Sequence, residues 1–361
     1  MNKSLENFEK IYFRRVFIIA EIGSNHEGNF EYAKKLLSDA VKCGVDAVKF
    51  QIYKGDKIVS KIESSERYNH FKRFELTDDE FIELAKLAEK KGILFMSSLW
   101  DIDAVHKFDP YLKIHKVGSG DLTNYPILEV IAKKNKPIIL STAMSTLEEI
   151  KDAVNFISMV NSNLIKNKKL ILMHCVAMYG NPRDEYANLL SIRKLQDEFP
   201  NFIIGYSDHT RGIYACELAI AMGAKVIEKH FTDDKSREFR DHHIAADLEE
   251  MKELVKKARR IETLLGKYEK KPIEEIETPE RIKEFRRAVY LKKDASAGTI
   301  LTKENLITLR PNVGIDARRF YSILGKRLKK NKKAFEAIYE EDLESIHKPL
   351  NQNRDSGYLD K

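Results

Sequence analysis

Two histidines, His209 in GYSDHT and His230 in EKHF, each close a short apolar run. At adjacent strand ends their imidazoles could share one divalent first-row ion. Positions left open for water and a substrate oxygen would make that ion a Lewis acid. The spacing alone is weak, since a lone core or loop histidine is the commoner case. No cysteine lies beside them, so a closed structural zinc site is not expected. Lys49 (AVKFQ) and Lys116 (IHKVG) are embedded in apolar runs, where a single lysine would snorkel or pair with an acid. Two of them with Ser119, Ser141 and Ser207 make an anion site, with ammonium charge and hydroxyl donors for a phosphate or carboxylate. Glu21, Asp121 and Asp208 are candidates for acid/base work or for orienting a hydroxyl, and an ion pair with a neighbouring lysine is the equal alternative for each. Gln51, Thr142, Tyr179 and Glu228 complete the polar groups at the ends of apolar runs.

Positioning these groups requires a scaffold that sends strand ends to one mouth. Eight short apolar runs recur: 16–22, 46–52, 92–98, 113–119, 137–142, 170–176, 202–207 and 224–231. Amphipathic stretches such as TDDEFIELAKLAEKKG, with Thr77 as N-cap, separate them, and DLEEMKELVKKARRIETLLG closes the series as an eighth long helix. Alternating strands and helices imply parallel pairing, and eight such units imply an α/β fold of (β/α)₈ barrel type, with functional groups at the C-terminal strand ends. A doubly wound open sheet is the runner-up, but no G-x-G-x-x-G follows the first strand. Nor is there a Walker A sequence or a glycine-rich phosphate grip after the eighth run, so an anion would be held from the strand ends.

The 361 residues suit one large domain or two unequal ones. Residues 1–266 read as the barrel, and 267–282, polar and proline-bearing, as a linker. Residues 283–345 form a small domain of short strands and turns, and 346–361 an expected disordered tail. A formal net charge of +7 lies in scattered lysine pairs and in GKRLKKNKK, without aromatic-interleaved RNA motifs or zinc-finger spacing. A solvated basic face that attracts small anions is expected, not nucleic-acid binding. No apolar run approaches a membrane span and the N-terminus lacks a secretory core, so a cytoplasmic location is expected. Cys43, Cys175 and Cys216 read as structural thiols.

AEIGSNHEG, DAVKFQ, KVGSGDLTNYP, PIILSTAMST, HCVAMYG, GYSDHT and EKHFTDD, in this order, resemble the N-acetylneuraminate (sialic acid) synthase family. RRAVYLKKDASAGTILTKENLITLRPNVGI followed by LGKRLKK resembles its C-terminal SAF, or antifreeze-like, domain of β-clip type. The resemblance implies condensation of phosphoenolpyruvate with an open-chain N-acyl hexosamine such as N-acetylmannosamine, releasing phosphate and a nonulosonic acid. It implies Mn²⁺, with Mg²⁺ or Co²⁺ as alternatives, on His209 and His230. Lys49, Lys116, Ser119, Ser141 and Ser207 match the phosphoenolpyruvate contacts, and Glu21 matches the carboxylate that orients the metal-bound water. Gln51, Asp121, Tyr179 and Asp241 match acceptor-sugar contacts. Arg310 matches an SAF arginine that reaches a partner subunit's barrel, which implies a domain-swapped homodimer.

Three departures bear on the ligands. Asp121 stands where the family often has Glu, which bears on the acceptor sugar, and Ala177 stands where Asn or Ser would donate a hydrogen bond to phosphoenolpyruvate. EFRDHH replaces a G-P-D-H stretch and brings Arg237 and Arg240 near the sugar pocket, either as a solvated loop or to meet a phosphorylated or otherwise acidic acceptor. A non-enzymatic sugar-binding scaffold is the remaining reading; Glu21, both histidines and both lysines speak against it. In the first strand's loop, Asn25, His26 and Glu27 are expected to shape the turn and cap the first helix.

Overall fold

The structure is a computed structural model and describes residues 15–238 and 241–344. Arg240 and the expected disordered tail lie outside the described residues. The chain divides into two compact units, Met1–Gly266 and Lys267–Lys361.

In the first unit eight strands close a parallel barrel: β1 Phe17–Gly23, β2 Ala47–Ile52, β3 Leu94–Leu99, β4 His115–Val117, β5 Ile138–Ser141, β6 Leu170–Cys175, β7 Ile203–Asp208 and β8 Val226–His230. β8 pairs back onto β1 with Glu21 opposite His230, and β1 pairs with β2 with Glu21 opposite Lys49. Each expected run supplies one strand.

Strand alternation explains both the core and the site. Inward positions fall every second residue, so each strand carries an inward column from the closed end to the open end. The lower members are apolar: Phe17, Ile19, Ala47, Met96, Ile114, Ile139, Ile171, Met173, Ile203 and Val226 form one buried cluster inside the barrel. Continuing each column by two gives Glu21, Lys49, Ser98, Lys116, Ser141, Cys175 and, two strands on, Glu228. The outward residues, such as Ile18, Val48, Phe50, Leu140, Leu172 and Ile227, pack under the helices in the larger outer core. A Cβ on Gly205 would stand 2.7 Å from the Val226 carbonyl oxygen. Only glycine therefore lets β7 and β8 approach there, one inward step below Ser207.

The helices start where their sequences say. Thr77 caps Asp78–Lys90 in a reciprocal capping box with Glu80, and Asp247 does the same with Glu250 for Leu248–Leu265. The first helix, Phe30–Lys42, is capped by Asn29, whose side chain accepts from the Tyr32 N–H. That corrects the capping expected of Asn25, His26 and Glu27, whereas their expected part in shaping the turn holds. Asn25 Nδ2 donates to the Phe231 carbonyl at 3.0 Å, Glu27 takes a left-handed φ of 53°, and His26 Nδ1 accepts from the Gly28 N–H at 3.1 Å.

The second unit contains β9 Ala288–Leu291 and β10 Leu306–Leu309, paired antiparallel. Its core gathers Val289, Leu291, Leu301, Leu306, Ile315, Ile323, Leu328, Ile338 and Leu343. Lys332 Nζ is buried against Asp342 Oδ2 at 2.6 Å. A helix at Pro279–Phe285, capped by Thr278, crosses the expected linker boundary at 282. No helix among the described residues is long and apolar enough to cross a membrane.

Candidate active site

A cavity of about 400 Å³ opens at the C-terminal end of the barrel. Its wall contains Glu21, Lys49, Gln51, Lys116, Ser119, Asp121, Ser141, Tyr179, Ser207, His209 and His230. With Glu228, these residues singled out from the sequence share one hollow, because each sits at or just beyond the end of an inward column.

At its base four ionisable groups interlock. Glu228 Oε1 lies 3.1 Å from Lys116 Nζ and accepts from Ser207 Oγ at 2.9 Å; Glu228 Oε2 is 3.2 Å from Lys49 Nζ. Lys49 Nζ also reaches Glu21 Oε2 at 3.4 Å, and Gln51 Nε2 donates to Glu21 Oε1 at 2.8 Å. All four charged side chains are almost fully buried. Burial works against the Glu228 charge, but Lys116 and Lys49 hold its pKa well below the carboxylate range. Burial likewise opposes Lys49, yet Glu21 and Glu228 keep it above the usual lysine value. In Lys116 burial wins and the pKa falls. Burial, only partly offset by Lys49, pushes Glu21 up to about 7. Near neutrality Glu21 is therefore poised to hold or release a proton, while two lysines face the one firmly ionised Glu228. The site is short of negative charge, which suits an anion.

Ser119 is fixed by accepting from the Ala143 N–H at 3.0 Å, and Ser141 Oγ is buried without a hydrogen-bond partner. An unsatisfied buried hydroxyl beside two lysines calls for a ligand oxygen. Thr142 instead donates to the Met173 carbonyl at 2.9 Å and is structural.

The His209 and His230 ring centroids are 5.1 Å apart. Burial lowers the His209 pKa to about 4; burial and then the His209 charge carry His230 well below its usual value. Both imidazoles are neutral, as metal ligands must be. Cys175 Sγ lies 3.6 Å from His209 Nδ1, whereas His230 Nδ1 is buried with no hydrogen-bond partner. Among the described residues no three His, Cys, Asp or Glu side chains converge as a cage. The donor set fits an ion held at two corners with its other positions open. Tyr179, half exposed, sets its ring edge-on against His209 at 4.9 Å.

Not every candidate reaches the cavity. Asp208 faces outward: it is 2.6 Å from Lys229 Nζ and accepts from the Tyr206 hydroxyl at 2.8 Å and the Thr210 N–H at 3.0 Å. The ion-pair alternative is the one realised, because Asp208 follows the inward Ser207 by one residue. Asp241 is buried beside the short turn His242–Ile244 and is not part of the cavity wall. Arg310 belongs to the second unit, its guanidinium 5.3 Å over the Phe285 ring. Arg237 pairs with Glu27 at 3.0 Å, lies over the Tyr32 ring, and lines a separate open hollow together with Tyr179. Ala177 does line the main cavity. So do Lys57, Arg67, Phe71, Trp100 and Asn124, which the sequence reading did not single out.

A parallel barrel with two buried lysines, serine hydroxyls and two imidazoles at its mouth has the form of an enzyme site suited to an anion. The chain belongs to the NeuB family, whose model matches residues 36–270, and an SAF domain matches residues 286–344. Its relatives include synthases of legionaminic, pseudaminic and neuraminic acids. The N,N'-diacetyllegionaminic acid synthase of Legionella pneumophila is 40% identical, covering 91% of this chain and 95% of that protein. The synthase of the same name from Campylobacter jejuni is 38% identical, covering 91% and 100%. The crystal structure of the N-acetylneuraminic acid (sialic acid) synthetase from Leptospira borgpetersenii superposes with a TM-score of 0.68 at 34% identity, covering 74% of this chain and 92% of that one.

Proposed function

We propose that the protein condenses phosphoenolpyruvate with an open-chain N-acyl hexosamine, forming a nonulosonic acid and releasing phosphate. The observation that carries this reading is the base of the cavity, which Lys49 and Lys116 line together with the unpartnered Ser141 hydroxyl and Ser207. In the proposed reaction Lys49 and Lys116, with Ser119, Ser141 and Ser207, hold the carboxylate and phosphate. C3 of phosphoenolpyruvate bonds to the aldehyde carbon as the C2–C3 double bond opens, water adds at C2, and the C2–O bond to phosphate breaks as the C2 hydroxyl becomes the ketone and its proton leaves with the phosphate. Glu21 takes a proton from that water and passes it to the former aldehyde oxygen, and Gln51 holds the Glu21 carboxylate in place. A divalent ion on His209 and His230, Mn²⁺ first among candidates, would when bound polarise the aldehyde oxygen and stabilise its developing charge. Gln51, Asp121 and Tyr179 line the path of the sugar, and Asp241 is expected to act beside them.

The acidic-acceptor alternative draws less support, since Arg237 is engaged by Glu27 and lines a different hollow. A homodimer in which Arg310 of one copy completes the other's pocket, and a cytoplasmic location, belong to the same proposal. The test is phosphate release from phosphoenolpyruvate with a panel of N-acyl and phosphorylated hexoses, with and without Mn²⁺. No release with any acceptor would end the reading. The His209→Ala protein should remain folded and lose metal-dependent turnover; unchanged turnover would remove the metal assignment.

A further inference from the structure

Of the three cysteines, Cys175 alone lines the cavity. It ends β6 on an inward position, two residues above Met173, with its Cα opposite Ser207 on β7. Cys43 and Cys216 lie instead in the outer core. There Cys43 donates to the Asp39 carbonyl at 3.3 Å and Cys216 to Asp208 Oδ2 at 3.5 Å. The sequence reading took Cys175 for a structural thiol of the same kind and placed no cysteine beside the histidines. The fold does place one there, because β6 and β7 are neighbours and His209 follows Ser207 by one inward step.

Cys175 Sγ lies 3.6 Å from His209 Nδ1. A neutral imidazole binds an ion through one nitrogen while the other keeps its proton, and the hydrogen bond made by that other nitrogen decides which is which. Here the sulfur stands behind Nδ1. His209 Nε2 makes no hydrogen bond among the described residues, and the residue lines the cavity. His230 differs, because its Nδ1 is buried with no hydrogen-bond partner. The two rings are therefore held unequally. The sulfur is not placed as a third ligand, since among the described residues no three such side chains converge.

From this juxtaposition we propose that Cys175 is a positioning residue for the metal site: its sulfur accepts a hydrogen bond from His209 Nδ1–H and so turns Nε2 toward the ion. The inference rests on the metal reading of His209 and His230 and deepens it. The outer nitrogen of a metal-bound histidine is ordinarily held by a carboxylate, a carbonyl or water, and loss of that partner costs about 10–100-fold in metal affinity. A thiol is a weaker acceptor, but it is neutral. A carboxylate in its place would add negative charge to a cavity whose lysines await an anion.

The experiment titrates Mn²⁺ into the metal-stripped full-length wild type, Cys175→Ala, Cys175→Val and Cys175→Ser. Free Mn²⁺ is read by electron paramagnetic resonance, and thermal unfolding is followed in parallel. Cys175→Val removes the acceptor while refilling the space with an apolar group, so it separates orientation from packing. The Ala and Val variants should each bind Mn²⁺ about tenfold or more weakly. Cys175→Ser, whose oxygen still accepts, should bind it more tightly than either. Unchanged affinity in the Val variant, or an equal loss in all three, would show that Cys175 only fills space and would overturn the inference. Co²⁺ gives a second readout on the wild type itself, which should lack sulfur-to-cobalt charge-transfer absorption; its presence would make Cys175 a ligand and overturn the positioning role. Failure of the wild type to bind Mn²⁺, or binding unchanged in His209→Ala, would overturn the metal reading itself.

Discussion

Lys116 Nζ and Glu228 Oε1 meet 3.1 Å apart, both almost fully buried, and Glu228 also reaches Lys49. Glu228 thus holds two lysines in place before any ligand arrives. Lys116→Met should leave a buried carboxylate underpaired and cost about 3–5 kcal/mol of stability. It should also raise KM for phosphoenolpyruvate by at least about tenfold. Adding Glu228→Gln should recover much of the stability but none of the affinity. Thermal unfolding with steady-state kinetics checks both, and recovery of KM in the double variant would mean that Lys116 serves only the fold.

Glu21 should set the acid limb of the pH profile. Its pKa is pushed up to about 7, so the ionised form that accepts a proton is lost as pH falls through that value. Activity should rise with pH around neutrality, and Glu21→Gln should lower the rate and flatten the limb. A limb that survives in Glu21→Gln would assign it elsewhere.

Gly23 has a φ of 57°, and a Cβ there would stand 3.1 Å from Glu21 Oε1 and 3.2 Å from Gln51 Nε2. Gly23→Ala should cost about 1–2 kcal/mol of backbone strain. It should also reduce kcat by displacing the Glu21–Gln51 pair. A loss of stability with kcat intact would show that the pair tolerates the shift.

Asp208→Asn should behave as a structural lesion. Lys229, itself fully buried, would lose its counter-charge at a cost of about 3–5 kcal/mol. Turnover per folded molecule should stay within a few-fold of wild type. A collapse of kcat in a protein of unchanged stability would restore Asp208 to the chemistry.

These four tests also mark what could be read from the chain alone. The eight runs were legible because buried parallel strands are apolar throughout, and polar residues ending such runs stand out. Alternation could have separated Ser207 from Asp208 and Glu228 from Lys229, since neighbours on a strand face opposite ways. Pooling strand-end residues without that parity put Asp208 among the candidate acids. Arg67 and Phe71 were hidden for another reason: the helix Ser65–Arg73 buries no residue and so has no periodic apolar face to announce it. The one available signal was length, because the segment between β2 and the helix at Asp78 far exceeds an ordinary βα loop. Arg310 and Asp241 depend on surroundings that strand order does not specify.

The apolar cluster below Lys49 and Lys116 makes the barrel a vessel with one opening. Whatever the lysines grip has to descend past the rim where Tyr179 and Trp100 stand, and a sugar seated there would block its way. For the proposed chemistry this dictates a sequence of events. Phosphoenolpyruvate should enter first and the sugar second, while phosphate, freed at the bottom, should depart after the nine-carbon acid. Product inhibition by phosphate should accordingly be competitive with phosphoenolpyruvate and not with the sugar.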